Sequence, residues 1–253
     1  MWYWTKILFF ILVGAVAVWL LWEFFTFPNI SKLRTENPTT TSMIEFRISE
    51  AQAEGKTPRK VMIWQPMEAI SPNLQRAVLA GEDARFFDHN GFDWESIEKA
   101  WDEGVKEAEK EAKAAGDYDP NDWIPRMPSF KRGASTVSQQ LAKNLYLSED
   151  RNFLRKGREA LITYFMEREL SKKRILEIYL NVIEWGDGIY GAEAASRFYF
   201  KKSASNLSAS EAAYLSAMIP SPLNVFNPKK NPKRVRRRQN VIQKGMRYIK
   251  LRY

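Results

Sequence analysis

Cysteine is missing from all 253 residues, which excludes a disulfide scaffold, a thiol nucleophile and any zinc site built on cysteine. Histidine occurs once, at position 89, so no catalytic His pair exists. Glycine and proline number 12 each and follow no short repeat, which rules out collagen-like and low-complexity chains. No Gly-rich phosphate loop and no H-E-x-x-H is present. Residues 229–252 carry 11 Lys and Arg without an Asp or Glu. The net charge of +9 therefore resides in that tail, because the rest of the chain sets 28 bases against 30 acids. What remains, at 45% hydrophobic and 27% charged residues, fits an ordinary globular domain with a membrane attachment.

The attachment is residues 7–22, ILFFILVGAVAVWLLW, which hold no charge. Sixteen helical residues cover about 24 Å, and the flanking apolar residues extend them towards the ~30 Å of a bilayer core. Trp2, Tyr3 and Trp4 at one end and Trp19 and Trp22 near the other are spaced like interfacial aromatic belts. A cleaved signal peptide is the competing reading, but Glu-Phe-Phe-Thr-Phe-Pro follows instead of a small-x-small cleavage site. Residues 1–27 thus read as a retained anchor. Lys6 before the span and Glu23 after it place the body outside the cytoplasm.

Residues 28–60 read as a polar connector with a short helix over 42–53, and the pattern turns helical from Trp64 onward. Ser71-Pro72 is an N-cap with Pro at the first helical position, ahead of Leu74, Ala77 and Val78 at helical spacing. Thr136 caps a helix with Val137, Leu141 and Leu145 on one face. Residues 155–170 and 172–181 are further helices, and Ser208-x-x-Glu211 is a capping box before an apolar run. No alternation of period two exceeds a few residues, so the expected fold is mainly α. Residues 61–228 form the expected domain, interrupted by a Glu/Lys/Ala-rich extension and surface loop at 101–128, with 229–253 a basic C-terminal tail.

Three clusters could carry chemistry. Glu82-Asp83-x-x-Phe86-x-x-His89-x-Gly91-x-Asp93 sets carboxylates at the end of an apolar helix, where a raised pKa would suit a base or acid near neutral pH. Taken alone, it reads more readily as a helix C-terminus with solvated acids and a turn at Gly91, and a single His more often packs or hydrogen-bonds than ligates. The turn Gly133-x-Ser135-Thr136-x-x-Gln139-Gln140, followed by Lys143, could receive an anion at a helix start, although most capped helices bind nothing. Arg155-Lys156-x-x-Glu159 places Lys156, Glu159 and Thr163 on one stripe, which is otherwise a solvated charged face. Ser96-x-x-Lys99 matches the nucleophile motif of penicillin-binding transpeptidases, but no K-T-G follows.

In order, these three clusters and Lys172-x-x-Ile-Leu-Glu-Ile-Tyr-Leu-Asn181 resemble the signature motifs of the peptidoglycan glycosyltransferases of family 51. The flanks agree: Trp64-x-Pro-x-x-x-Ile-Ser-Pro72 before them, and Arg197-x-Tyr-Phe200, Pro220-Ser-Pro222 and Asn227-Pro228 after them. Without a transpeptidase module, the chain resembles the monofunctional biosynthetic type of Gram-negative bacteria. The 101–128 stretch is longer than the family usually carries between its first two motifs.

The resemblance implies a lysozyme-like helical glycosyltransferase domain on a single N-terminal transmembrane helix in the inner membrane, with its catalytic domain in the periplasm. It would transfer a lipid-linked glycan strand onto lipid II with inversion and release undecaprenyl pyrophosphate. By motif match Glu82 would be the general base and Glu159 would assist at the donor. Lys143, Arg151 and Lys156 would neutralise the pyrophosphate, with Ser135, Thr136, Gln139 and Gln140 positioning the sugar phosphate. Asp83, Arg155 and Asn181 complete the substrate-binding set. No cofactor is implied with certainty; Mg or Mn at the pyrophosphate is left open, and no acidic cage marks a site for it. Expected partners are the two lipid-linked substrates, the membrane and other cell-wall synthesis proteins, with nucleic acid excluded by location.

Two rivals stand beside this expectation. A lytic muramidase would share the helical fold and a catalytic Glu, but it needs no cationic pyrophosphate site. A non-catalytic membrane scaffold would use the basic tail to hold anionic lipid. The tail itself reads as a segment for anionic headgroups lying outside the four motifs, or as a solubilising terminus.

Overall fold

The computed structural model describes residues 2–116, 135–148 and 153–253. Helices dominate, and most begin where a short polar side chain satisfies orphan amides. A 25-residue helix, α1 (Trp2–Thr26), opens the chain. The next, α2 (Ser42–Ala53), is capped by Thr41, which accepts from the Ile44 amide. Ser71 caps α3 (Pro72–Glu82) and Asp93 caps α4 (Trp94–Ala115). A full capping box of Thr136 and Gln139 starts α5 (Val137–Tyr146), and α6 (Phe153–Glu169) follows. Ser171 caps α7 (Lys172–Val182); α8 is Ala192–Phe200. Ser208 and Glu211 box the start of α9 (Ala209–Met218), and α10 (Pro232–Gly245) opens on proline.

The expected helices thus form where capping and apolar spacing coincide. Strands β1 (Val61–Met62), β2 (Glu184–Gly186) and β3 (Ile189–Tyr190) are two or three residues long, too short to show alternation. They pair in the order β1-β3-β2, with β1 parallel and β2 antiparallel to β3. The charged extension is helical to Ala115 and stops at Gly116 in the left-handed conformation. The rest of that stretch, 117–128, lies outside the described residues.

One core runs through the domain. Leu74, Ala77 and Val78 of α3 are fully buried among residues of α9 and α10, while Val137, Leu141 and Ala142 of α5 are covered by α6 and α7. Trp185 is fully buried and donates its indole N–H to the Leu215 carbonyl at 3.0 Å. The connector is part of this assembly: Ile30 and Leu33 are buried in the core, and Ser42 donates to the Leu145 carbonyl.

The basic tail is also part of it, which corrects the boundary drawn at residue 228. Val235, Ile242, Met246 and Ile249 are buried at near-helical spacing, so α10 turns one apolar stripe onto α3 and α9 while Arg234, Arg236 and Arg237 stay exposed. The final residues then fold back. Arg252 pairs with Asp88 at 2.7 Å, and Tyr253 packs on the Phe87 ring and donates to Gln75. Counting charge had hidden an amphipathic helix.

Among the described residues, no helix is long and apolar enough to cross a membrane. The side chains of residues 2, 3, 8, 12, 15, 16, 20 and 24 of α1 are not among those described. The C-terminal end of α1 docks on α6: Arg158 donates to the Thr26 carbonyl at 2.7 Å and lies 3.5 Å from Glu23, and the Phe27 ring meets Phe165.

Candidate active site

Glu82 is the last residue of α3, and its position depends on what precedes it. A Cβ at Gly81 would stand 2.8 Å from Ser216 Oγ and 3.0 Å from Ile242 Cδ1, so a larger residue there would make those side chains shift where α3 meets α9 and α10. The Glu82 side chain is 7% exposed and lines a cleft of about 250 Å³ with Asp83, Arg85, Asp93, Ser96, Ser135 and Thr136. Gln140 Nε2 donates to Oε2 at 3.0 Å and Arg238 Nη2 to Oε1 at 2.8 Å. Gln140 is oriented in turn by the buried Tyr179 hydroxyl, which donates to its Oε1 at 2.7 Å. Burial is the largest influence on Glu82 and raises its pKa; the Arg238 charge and the Gln140 bond only partly oppose this. The Tyr179 phenol is pushed far up, chiefly by burial, so it remains a neutral donor.

The loop after Glu82 is pinned to the start of α5. Asp83 accepts the Val137 amide at 2.9 Å and faces His89 Nε2 at 3.0 Å. His89 Nδ1 accepts the Gly91 amide, which assigns the ring proton to Nε2 and makes His89 the donor to Asp83. Gly91 has φ +91, its carbonyl accepts from Thr136 Oγ1 at 2.7 Å, and a Cβ there would meet Thr163 Cγ2 at 2.8 Å. The first cluster, the turn before α5 and helix α6 are therefore one braced unit.

Glu159 is buried on α6, where Arg155 Nη1 lies 3.1 Å from Oε2 and Lys156 Nζ bonds Oε1. The stripe read from the sequence holds, since Thr163 donates to the Glu159 carbonyl and touches Gly91. Lys156 is half exposed, presenting a cation beside the buried acid. Lys143 follows Gln140 by three residues, on the same face of α5.

The structure brings Glu82, Asp83, Ser135 and Thr136 to one cleft and hangs Gln140 behind Glu82. Gln139 spends its side-chain oxygen on the Thr136 amide in the capping box. Asn181 is fully buried and bonds the Gln65 amide and carbonyl, bracing the segment before α3. Ser96 donates to Asp93 at 2.6 Å at the start of α4, a capping arrangement. Arg151 lies outside the described residues. Among them, no three His, Asp or Glu side chains converge on a possible metal site.

The model of the Transglycosylase family matches residues 50–116 and 124–247, three quarters of the chain. The chain belongs to the transglycosylase family. Biosynthetic peptidoglycan transglycosylases are similar along most of their length: that of Chromobacterium violaceum is 42% identical over 98% of this chain and 99% of its own. The protein of Thiobacillus denitrificans is 46% identical over 83% and 82%, and that of Neisseria gonorrhoeae 39% over 91% and 90%. The transglycosylase match breaks at residues 117–123, inside the stretch the sequence marks as unusually long, and it runs through α10, in keeping with the packed tail.

Two residues at this candidate site escape the sequence reading. Arg238 was hidden in a run of arginines, although Val235 and Ile242 flank it at i−3 and i+4 as on one helix side. Tyr179 lay inside the fourth motif without a role, because nothing local indicates that its hydroxyl meets Gln140 across 39 positions.

Proposed function

We propose that this transglycosylase polymerises peptidoglycan glycan strands, with the lipid-linked growing strand as donor and lipid II as acceptor. The observation that carries the proposal is Glu82: a largely buried carboxylate with a raised pKa, held between Gln140 and Arg238 at the edge of a cleft. Glu82 takes the proton from the acceptor's 4-hydroxyl as that oxygen attacks the anomeric carbon of the donor. The bond to undecaprenyl pyrophosphate breaks on the opposite face, so the β-1,4 linkage forms with inversion.

Glu159, with Arg155 and Lys156 on it, serves the donor side, where Lys143, Lys156 and Arg151 balance the charge gathering on the pyrophosphate. Ser135, Thr136, Gln139 and Gln140 position the sugar phosphate, with Thr136 and Gln139 acting by holding the turn. Asp83 and Asn181 act the same way, through the backbone they brace. No step is routed through a divalent cation.

A bilayer location suits lipid-linked substrates, with α1 as a single inner-membrane anchor and the domain in the periplasm. Supporting this are the uncharged run at 7–22 and the docking of Thr26 and Phe27 on α6, whose Leu154, Leu161 and Phe165 form an exposed apolar stripe at i, i+7 and i+11.

Incubation with lipid II and, separately, with finished glycan tests the reaction class. Polymer from lipid II is the expected result, whereas shortened strands from finished glycan would identify a lytic enzyme. Lys156→Met and Lys143→Met should each lower turnover on the order of 100-fold, as loss of one transition-state charge contact does. Lys106→Met, exposed on α4, should leave turnover near wild type. Equal losses at all three positions in a turnover assay would assign the effect to bulk charge.

A further inference from the structure

We infer that Arg238, on the basic C-terminal helix, is a positioning residue for Glu82, holding its carboxylate ionised and aimed into the cleft. The inference deepens the proposed function and rests on Glu82 being the base. Arg238 Nη2 bridges the Gly81 carbonyl at 3.0 Å and Glu82 Oε1 at 2.8 Å, so it ties the carboxylate to the end of its own helix. Its guanidinium lies over the Phe226 ring, 5.3 Å from the centroid, and α10 is fixed by the burial of Val235 and Ile242 one turn to either side. The arginine therefore comes to Glu82 on a rigid support.

A carboxylate with 7% exposure has little water to hold its charge, and an uncompensated buried charge neutralises by shifting its pKa. The groups facing Glu82 leave that task to Arg238. Asp83, the next residue, repels the charge; the Tyr179 phenol of α7 stays neutral; and Gln140 of α5 offers one neutral bond. Arg85 lines the same cleft but is engaged by Glu95 and lies 3.7 Å from Asp93. Glu82 Oε1 still has a lone pair for the acceptor hydroxyl, since a carboxylate oxygen accepts more than one bond.

The test is the pH–rate profile of lipid II polymerisation by the full chain, with lipid II affinity measured alongside. In wild type the rate should fall on the acidic side as Glu82 takes up a proton. Arg238→Gln should move that limb to higher pH by about one unit or more, so that below both limbs the rate is about tenfold lower, while lipid II affinity changes little. Arg238→Lys keeps the charge but loses the fork; it should restore most of the rate with a smaller shift in the same direction, and it decides the matter alone should Arg238→Gln not fold. Arg237→Gln, exposed on the same helix, should keep the wild-type profile. An unshifted limb in a folded Arg238 variant, whether its rate is normal or uniformly lowered, would overturn the inference and leave Arg238 a packing residue. Near-normal turnover in Glu82→Gln would instead overturn the reading of Glu82 on which the inference rests, so the two failures are distinguishable.

Discussion

Deleting residues 234–253 is expected to abolish folding of the domain, not merely to loosen its hold on a membrane. The segment contributes Val235, Ile242, Met246 and Ile249 to the core, each worth about 1.5–3 kcal/mol of burial. Together they rival the whole net stability of about 5–15 kcal/mol typical of a domain. The deletion also strips the apolar cover from α3, the helix that ends in Glu82, and the Arg252–Asp88 pair from the loop beyond it. Ile242→Ala, a milder version, should cost about 2–5 kcal/mol, read as a lowered thermal midpoint and a lowered denaturant midpoint at unchanged slope. A truncated chain that unfolds cooperatively at the wild-type temperature would show that α10 is an appendage. Electrostatic attraction of the tail to anionic lipid is better probed on its exposed side: Arg234, Arg236 and Arg237 can lose their charge without disturbing the buried stripe.

Local signals in the sequence were strong where one residue does one job. Ser208 with Glu211 reads as a capping box because the box needs only four consecutive residues, and it forms; Thr136 reads as an N-cap, and the structure adds Gln139 to make that cap a full box. Glu82 stands out through its place in the first of four ordered motifs, since an acid closing an apolar helix reads by itself as a solvated helix end. His89 was read as a hydrogen-bonding residue, and it bonds Asp83. What the sequence could not display is pairing over distance. The Glu82–Arg238 contact spans 156 positions, and the Asp83–Val137 bond spans 54. Arg238 sat in a stretch whose excess of charge drew attention to the exposed face and away from the apolar stripe beneath it. The strands were missed for a different reason: two residues carry no period.

Replacement of Glu82 by Gln is expected to cut polymerisation of lipid II by about 100 to 10,000-fold, the usual contribution of a general base and about 3–5 kcal/mol of barrier. Glutamine keeps the volume and can still meet Arg238 and Gln140 through its oxygen and neighbouring waters, but it cannot take a proton at any working pH. Because the proton moves only as the acceptor hydroxyl attacks, ground-state binding should be nearly untouched and the loss should fall on kcat. The fold should survive, since amide and carboxyl are isosteric and Glu82 alone carries no core packing. The decisive measurement is therefore turnover of lipid II by purified Glu82→Gln beside wild type, with lipid II affinity and thermal midpoint recorded on the same preparations. A protein that folds and binds lipid II as wild type does, yet makes no measurable polymer, is the predicted result. A Glu82→Gln protein that polymerises lipid II at a near-normal rate would contradict the account.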